Sequence, residues 1–186
     1  MPQEVEIKFR VSDLRKLQRK LREAGFRLVT PRKHEMNTLY DLPGEKLRKK
    51  NELLRLRQYG SEWKLTHKRG TKRGRHSSRE ELETAVEDGK QMDAILRALG
   101  YSSSFRYEKF RAEWEQGKKK KVVVDETPIG NFCEIEGPPR WIDTTAKKLE
   151  IEHSEYITKN YATLFTEWKQ DTKSAANEMT FKAAKR

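Results

Sequence analysis

The chain opens on a strict alternation. Glu4, Glu6, Lys8 and Arg10 fall on one face of an extended segment and Val5, Ile7, Phe9 and Val11 on the other, a period of two that predicts a β-strand over residues 4–11. Ser12 or Asp13 is placed to cap a helix whose Leu14, Leu17 and Leu21 share one stripe and which Gly25 stops. A second strand is predicted over residues 36–41, ended by Pro43-Gly44, and a hairpin over 52–59 and 62–69, joined through Gly60-Ser61. Residues 67–78, rich in Lys, Arg, Gly and Ser, read as a mobile basic loop before a strand over 79–86. A helix over 90–99 carries Met92, Ile95, Leu96 and Leu99 and stops at Gly100. Strands over 105–116 and 119–126 turn at Gly117, and a further strand over 131–137 ends where Pro138-Pro139 breaks the chain. Residues 143–168 read as helix in two pieces, with Tyr156, Ile157, Tyr161, Leu164, Phe165 and Trp168 as the apolar set.

The polar faces of these strands are unusual in being charged. Glu4, Glu6 and Lys8 share one; Arg55 and Arg57 share another, opposite Leu54 and Leu56. Lys64, Thr66 and Lys68 form a third, Arg79, Glu81 and Glu83 a fourth, Lys109 and Arg111 a fifth, Glu134 and Glu136 a sixth. One such face is a solvated surface. Six in one chain also fit an inverted arrangement, an α+β fold in which a closed barrel turns its charged faces inward and its apolar faces outward under helices. Like charges buried together are costly, so such an interior needs an occupant. A polyanion bound with a divalent metal meets that need. Lys8, Arg55, Arg57, Lys68, Lys109 and Arg111 are suited to phosphate oxygens, the arginines in two-pronged fashion. Glu4, Glu6, Glu134, Glu136 and Asp125 are suited to Mg2+ or Mn2+, which prefer oxygen ligands. Carboxylates two apart on a strand point the same way, so each Glu-x-Glu offers two ligands to one region.

Composition bounds the rest. Charged residues make up 38% of the 186 residues and the net charge is +12. The cations and carboxylates above, with Glu81 and Glu83, leave 35 basic and 22 acidic residues elsewhere, so the basicity lies outside the proposed site, where it is placed to attract an anion. The single cysteine, Cys133, excludes an internal disulfide and a multi-thiolate zinc site, and it is expected to pack outward under a helix. His34, His67, His76 and His153 show no metal-ligand spacing. The start MPQEVEIKFR has no secretory pattern and no apolar run approaches the ~18 residues of a membrane span, so the expectation is a cytoplasmic protein without membrane contact. Arg79 and Arg106 are expected outside the barrel, Lys118–Lys121 at a solvated hairpin tip, and Tyr161 or Lys159 at the tunnel mouth.

The ordered set of motifs resembles a known family. Glu4-Val5-Glu6-Ile7-Lys8 is similar to the Glu-x-Glu-x-Lys signature of the CYTH domain, the triphosphate tunnel metalloenzymes. Leu39-Tyr40-Asp41 followed by Leu53-Leu54-Arg55-Leu56-Arg57, then Trp63-Lys64-Leu65-Thr66-His67-Lys68, resemble the family's next blocks. Arg79-x-Glu81-x-Glu83, Lys109-x-Arg111, Val124-Asp125 and residues 130–137 (GNFCEIEG) complete the order, from about residue 3 to about 168.

The resemblance implies a roughly eight-stranded antiparallel tunnel with flanking helices; chain length predicts one domain, over residues 1–170, and the polar composition of residues 171–186 a tail expected to fray. It implies that Glu4, Glu6, Glu134 and Glu136, with Asp125 less directly, bind metal. It also implies that Lys8, Arg55, Arg57, Lys68, Lys109 and Arg111 bind triphosphate. Glu6, Lys8, Arg57, Glu81 and Glu83 are the candidates for the chemistry itself. Members of the family include class IV adenylate cyclases, thiamine triphosphatases and inorganic triphosphatases. The expected reaction is therefore metal-dependent hydrolysis of inorganic triphosphate, a nucleoside triphosphate or thiamine triphosphate. The alternatives are cyclisation of ATP to cyclic AMP and pyrophosphate, and non-catalytic binding of polyphosphate or RNA through basic residues 67–79. The sequence leaves the oligomeric state, a homodimer included, open.

Overall fold

A computed structural model describes residues 3–184, with residues 3 and 71–73 described by backbone alone. The alternating segments form eight strands: β1 (Gln3–Val11), β2 (Arg27–Asp41), β3 (Leu53–Tyr59), β4 (Glu62–Arg73), β5 (Ser77–Val86), β6 (Ser102–Glu115), β7 (Lys121–Thr127) and β8 (Gly130–Glu136). They close into one antiparallel barrel in the order β1-β5-β4-β3-β2-β6-β7-β8. The helices are α1 (Leu14–Glu23), the short α2 (Lys46–Lys49), α3 (Gly89–Ala98), α4 (Pro139–Lys148) and α5 (Tyr161–Thr172). A 3-10 turn over His153–Glu155 precedes α5.

Closure is inverted, as the charged faces predict. Lys8, Glu35, Asn37, Arg55, Thr66, Lys109, Arg111, Asp125 and Glu134 are buried inside. The apolar faces lie outside: Ile7, Phe9, Trp114, Val122, Val124, Cys133 and Ile135 pack under Leu17 and Leu21 of α1 and Ile142 and Ala146 of α4. Asp13 caps α1 by accepting from the Lys16 amide at 2.9 Å. Gly25 then turns the chain at φ 84°, the left-handed region open to glycine. On the far side α3 sets Leu96 against Tyr40 and Leu56.

Several expectations need correction. β2 begins at Arg27, nine residues before the predicted start. Its first half carries Arg32, Lys33 and His34, which hide its period, and long pairing with β6 holds it extended. The basic loop is mostly strand: β4 runs to Arg73 and β5 starts at Ser77, so only residues 74–76 connect them. A register shift between Arg69 and Thr71 accommodates Gly70 in that hairpin. Pro139 starts α4 rather than ending structure, because a proline at the first helical position lacks only an amide that would be unpaired anyway. Tyr156 and Ile157 lie outside the helices, and Ile157 pairs with Lys8 through backbone hydrogen bonds of 3.2 and 2.7 Å.

The described part of the tail packs back on the barrel. Met179 exchanges backbone hydrogen bonds with Arg106 and Glu108 of β6, both 3.0 Å, and its side chain is fully buried. The Phe181 amide donates to Glu108 Oε1 at 2.7 Å. Lys185 and Arg186 of the expected tail lie outside the described residues. Among the described residues no helix is long and apolar enough to cross a membrane.

Candidate active site

The barrel encloses a cavity of about 280 Å³. Its wall carries Glu4, Glu6, Lys8, Arg55, Arg57, Lys68, Glu81, Glu83, Lys109, Arg111, Glu134 and Glu136, so the N-terminal glutamates share one space with the arginines of β3. Arg79 lines it too, contrary to the external position expected, because it pairs with Glu4 across β1 and β5 and so faces the same way. Arg106 stays outside, bridging to Glu178 at 3.7 Å.

The cations and carboxylates are interleaved. Lys8 Nζ lies 2.8 Å from Glu134 Oε1, and Arg111 Nη2 donates to Glu134 Oε2 at 2.6 Å. Burial opposes both charges, yet Lys8 raises its affinity for a proton beside Glu134 and Glu6, and Glu134 is held well below the usual carboxylate range by Lys8 and Arg111. Lys68 contacts Glu4 and lies 3.1 Å from Glu81 Oε2. Glu83 accepts from Lys64 at 2.8 Å and Thr66 at 2.9 Å and faces Arg57 Nη2 at 3.3 Å. Burial pushes Glu83 up, but the Lys64 hydrogen bond and Arg57 bring it down to about 2. Glu81 is held above the ordinary value, first by burial and then by neighbouring Glu4 against the pull of Lys68.

Asp125 occupies a different position from the metal ligands it was grouped with. It accepts from Arg111 Nε and Nη2, both 2.6 Å, from Lys109 Nζ at 2.9 Å and from the Tyr161 hydroxyl at 2.7 Å. Both oxygens are engaged, the residue is fully buried, and it is not part of the cavity wall. Its place is that of an anchor for two cations.

Among the described residues four buried polar atoms inside the barrel have no hydrogen bond: the Nε atoms of Arg55 and Arg57, Glu35 Oε2 and Asn37 Oδ1. Unpaired guanidinium donors in a closed space suit an anion with several oxygens. Glu6 is the converse case. Among the described residues it makes no side-chain hydrogen bond or ion pair. Burial, then Glu134, push it up to about 7 against the pull of Lys8. A carboxylate so disfavoured is relieved by a cation, so Glu6, with one neighbouring carboxylate of the wall, fits a hard divalent ion. Among the described residues no three His, Cys, Asp or Glu side chains form a ready cage. That suits Mg2+-type binding, in which one or two carboxylates share the ion with water and substrate phosphates.

The sequence reading missed Glu35, which lies before the predicted start of its strand. Its signal was the alternation Lys33, Glu35, Asn37, Leu39, legible once β2 is extended backwards. Tyr161 and Lys159 do reach the tunnel wall. Tyr161 places its ring 4.5 Å from Lys8 Nζ and 4.9 Å from Lys109 Nζ. It also belongs to the apolar cluster of α5 and the tail with Tyr107, Leu164, Phe165 and Met179, which closes that side of the barrel.

A second cavity of about 790 Å³ shares Leu53, Arg79 and Asn160 with the tunnel. Leu39, Tyr40, Phe105 and Phe165 give it an apolar wall that the tunnel lacks.

Comparison with known proteins agrees with this architecture. A Methanocaldococcus jannaschii protein, provisionally named an adenylate cyclase, is 28% identical over 148 residues, covering 79% of this chain and 83% of its own length. The structure of a provisionally named adenylate cyclase from Vibrio parahaemolyticus matches with a TM-score of 0.77 at 18% identity, covering 88% of this chain and 97% of that one. A Hippeastrum protein, provisionally called an adenylyl cyclase and described as having a dominant triphosphatase activity, matches with a TM-score of 0.65 at 19% identity over 88% of this chain and 95% of its own. At these identities the two structural likenesses speak for the fold. The model of the CYTH domain matches residues 2–184, and with an inverted eight-stranded barrel around a charged tunnel the chain belongs to the CYTH family.

Proposed function

We propose that this protein hydrolyses a triphosphate-containing substrate with the help of Mg2+ or Mn2+. The observation that carries the reading is the pair of buried, unpaired guanidinium Nε atoms of Arg55 and Arg57 in the cavity that holds the unpaired carboxylate of Glu6. One set asks for an anion and the other for a cation. A metal-bound polyphosphate satisfies both, whereas a pure anion binder has no use for clustered carboxylates.

In this reading Lys8, Arg55, Arg57, Lys68, Lys109 and Arg111 hold the phosphate oxygens in a fixed row. Glu6, with Glu4 or Glu136 beside it, would hold the metal, which when bound would offset negative charge on the phosphoryl group being transferred. Glu81, kept proton-seeking by burial, is the carboxylate suited to orient the attacking water and accept its proton. Water oxygen bonds to the terminal phosphorus, the bridging P–O bond breaks in line, and orthophosphate and the shortened chain leave. Glu83 stays ionised and, held itself by Lys64, keeps Arg57 aimed into the tunnel. Preorganised cations on a rigid barrel wall stabilise the transferring group without reorganising at the moment of reaction.

The tunnel's volume, about 280 Å³, falls just short of the ~300–1,000 Å³ typical of drug-sized ligands and suits a bare phosphate chain. The adjoining cavity of about 790 Å³ favours a second reading, in which an organic group hangs on the chain. A nucleoside there admits the cyclase reaction, with the ribose 3′-oxygen attacking the α-phosphorus and pyrophosphate leaving. Against binding of RNA through basic residues 67–79 stand the clustered carboxylates of the tunnel, which a pure anion binder would avoid.

The test is a panel of inorganic triphosphate, nucleoside triphosphates and thiamine triphosphate with Mg2+ or Mn2+, read in parallel for orthophosphate, pyrophosphate and cyclic AMP. Orthophosphate from one member supports hydrolysis, and cyclic AMP with pyrophosphate supports the second reading. Turnover no higher than that of Arg57→Ala on every substrate overturns both.

A further inference from the structure

Glu35 sits on β2 in register with Lys109 of β6 and Tyr59 of β3. It is 0% exposed. One oxygen, Oε1, accepts from Asn37 Nδ2 at 2.8 Å and lies 3.4 Å from Lys109 Nζ. The other, Oε2, lies 3.8 Å from Arg57 Nη1 and 4.0 Å from Arg111 Nε and makes no hydrogen bond. Glu35 is not part of the cavity wall, although all three of those cations are. It therefore stands behind them, out of reach of a bound substrate.

Its relation to the cations differs from that of Asp125. Asp125 consumes donors, taking Arg111 Nε and Nη2 and Lys109 Nζ in short hydrogen bonds. Glu35 faces the arginines through charge alone and leaves the Arg57 Nε proton unpaired. Three cations crowded in a low-dielectric interior repel one another. A buried carboxylate between them holds them together without occupying the donors a phosphate would use. Asn37 fixes which way that carboxylate points.

We infer that Glu35 is a positioning residue of the triphosphate site, a buried counter-anion that sets Arg57, Arg111 and Lys109 for the transferring phosphoryl group. This rests on the triphosphatase reading above. The charge of Glu35 acts on the cations, not on substrate, so its loss affects turnover more than binding: the tunnel gains one net positive charge and still attracts the anion, while the cations lose their fixed arrangement.

The experiment uses inorganic triphosphate and Mn2+ with the full chain. Wild type is assayed first, by calorimetric binding and by phosphate release. If inorganic triphosphate is not turned over, a triphosphate of the panel that is takes its place; if none is, the triphosphatase reading fails and takes this inference with it. With an active wild type, E35Q is expected to lower kcat at least tenfold while KM changes less than threefold, and E35D, which keeps the charge, is expected to recover part of kcat. A folded E35Q with kcat within threefold of wild type overturns the inference alone, as does an E35D no better than E35Q. Should E35Q fail to fold, the split is read on N37A, which keeps the charge but frees Oε1; a kcat there within twofold of wild type equally overturns it. A purely structural role would lower Tm and leave the kcat-against-KM split at permissive temperature unmoved.

Discussion

Lys8 and Glu134 are direct partners across the seam where the first strand meets the last, with Nζ 2.8 Å from Oε1 and both side chains under a tenth exposed. The ion pair thus serves closure of the barrel and composition of the site at once. Removing one member of a buried pair strands the other. In Lys8→Met, Arg111 still reaches Glu134 at 2.6 Å. The expected loss is therefore about 2–3 kcal/mol, below the cost of an uncompensated buried charge. Calorimetric unfolding should show Tm lower by about 4–12 °C for a domain of this size. A Tm unchanged from wild type would place Lys8 outside the closure of the barrel.

Arg57 separates charge from geometry. Its Nη2 is spent on Glu83 while its buried Nε is free for a phosphate oxygen. Arg57→Ala is expected to lower kcat/KM on the accepted triphosphate by roughly 10²–10³, the usual cost of one donor aimed at developing charge. Arg57→Lys should recover only a small part, because an ammonium lacks the planar fork. Equal activity of the lysine variant and wild type would reduce Arg57 to a point charge.

Glu6 tests the metal assignment. Among the described residues it has no ion-pair partner, and its carboxylate is pushed up to about 7 by burial and by Glu134. Glu6→Gln preserves its volume and removes the charge. Titration with Mn2+ followed by calorimetry is expected to show affinity at least tenfold weaker, about 1.4 kcal/mol. If the isotherms superimpose, the ion is held elsewhere.

Glu83 makes a prediction with a definite sign in pH. Its folded value, about 2, lies below the ordinary 4.5, chiefly through Lys64 and Arg57 against the cost of burial. A carboxylate depressed in this way stabilises the fold above its unfolded value and loses that contribution as pH falls from about 4.5 towards 2. Glu83→Gln should lower stability at pH 7 by about 1–2 kcal/mol, allowing for solvent screening of a part-exposed group. Between pH 4.5 and 2 its Tm should then fall less steeply than that of wild type. Parallel acid limbs would show that the ion pairs of Glu83 contribute nothing to the acid sensitivity of the fold.

The inverted barrel was legible because its charged faces are periodic. Glu4, Glu6 and Lys8, Arg55 and Arg57, and Glu134 and Glu136 each declare a strand face by spacing two, and all reach one cavity. Asp125 was assigned by residue type. What decides its role is the convergence of Arg111, Lys109 and Tyr161 from two other elements, which spacing does not encode. Glu35 was hidden because the polar neighbours Arg32, Lys33 and His34 put the predicted start of its strand too late, and its alternation shows only once β2 is extended backwards. The basic hairpin read as a loop because Lys, Arg and Gly dominate 69–75, while pairing with β5 through a register shift keeps it extended. For the extended β2 and the basic hairpin, a tertiary contact outweighed local composition.

Met179 gives the sharpest disagreement between composition and packing. By sequence it lies in a polar segment whose alteration should matter little. In the fold its backbone pairs with β6 on both sides of Tyr107, and its fully buried side chain joins Tyr107, Tyr161 and Phe165 in one cluster. Tyr107 and Tyr161 are also wall residues of the tunnel, so a cavity left by Met179 would open directly behind the site. Met179→Ala is expected to cost about 2–4 kcal/mol, within the range for emptying a packed core position. Because the cavity backs onto Tyr161, which holds Asp125 at 2.7 Å, turnover should fall as well, even well below the new Tm. Denaturant unfolding and kcat measured side by side would check both halves. Stability within 0.5 kcal/mol of wild type would return residues 174–184 to the role of an unstructured tail.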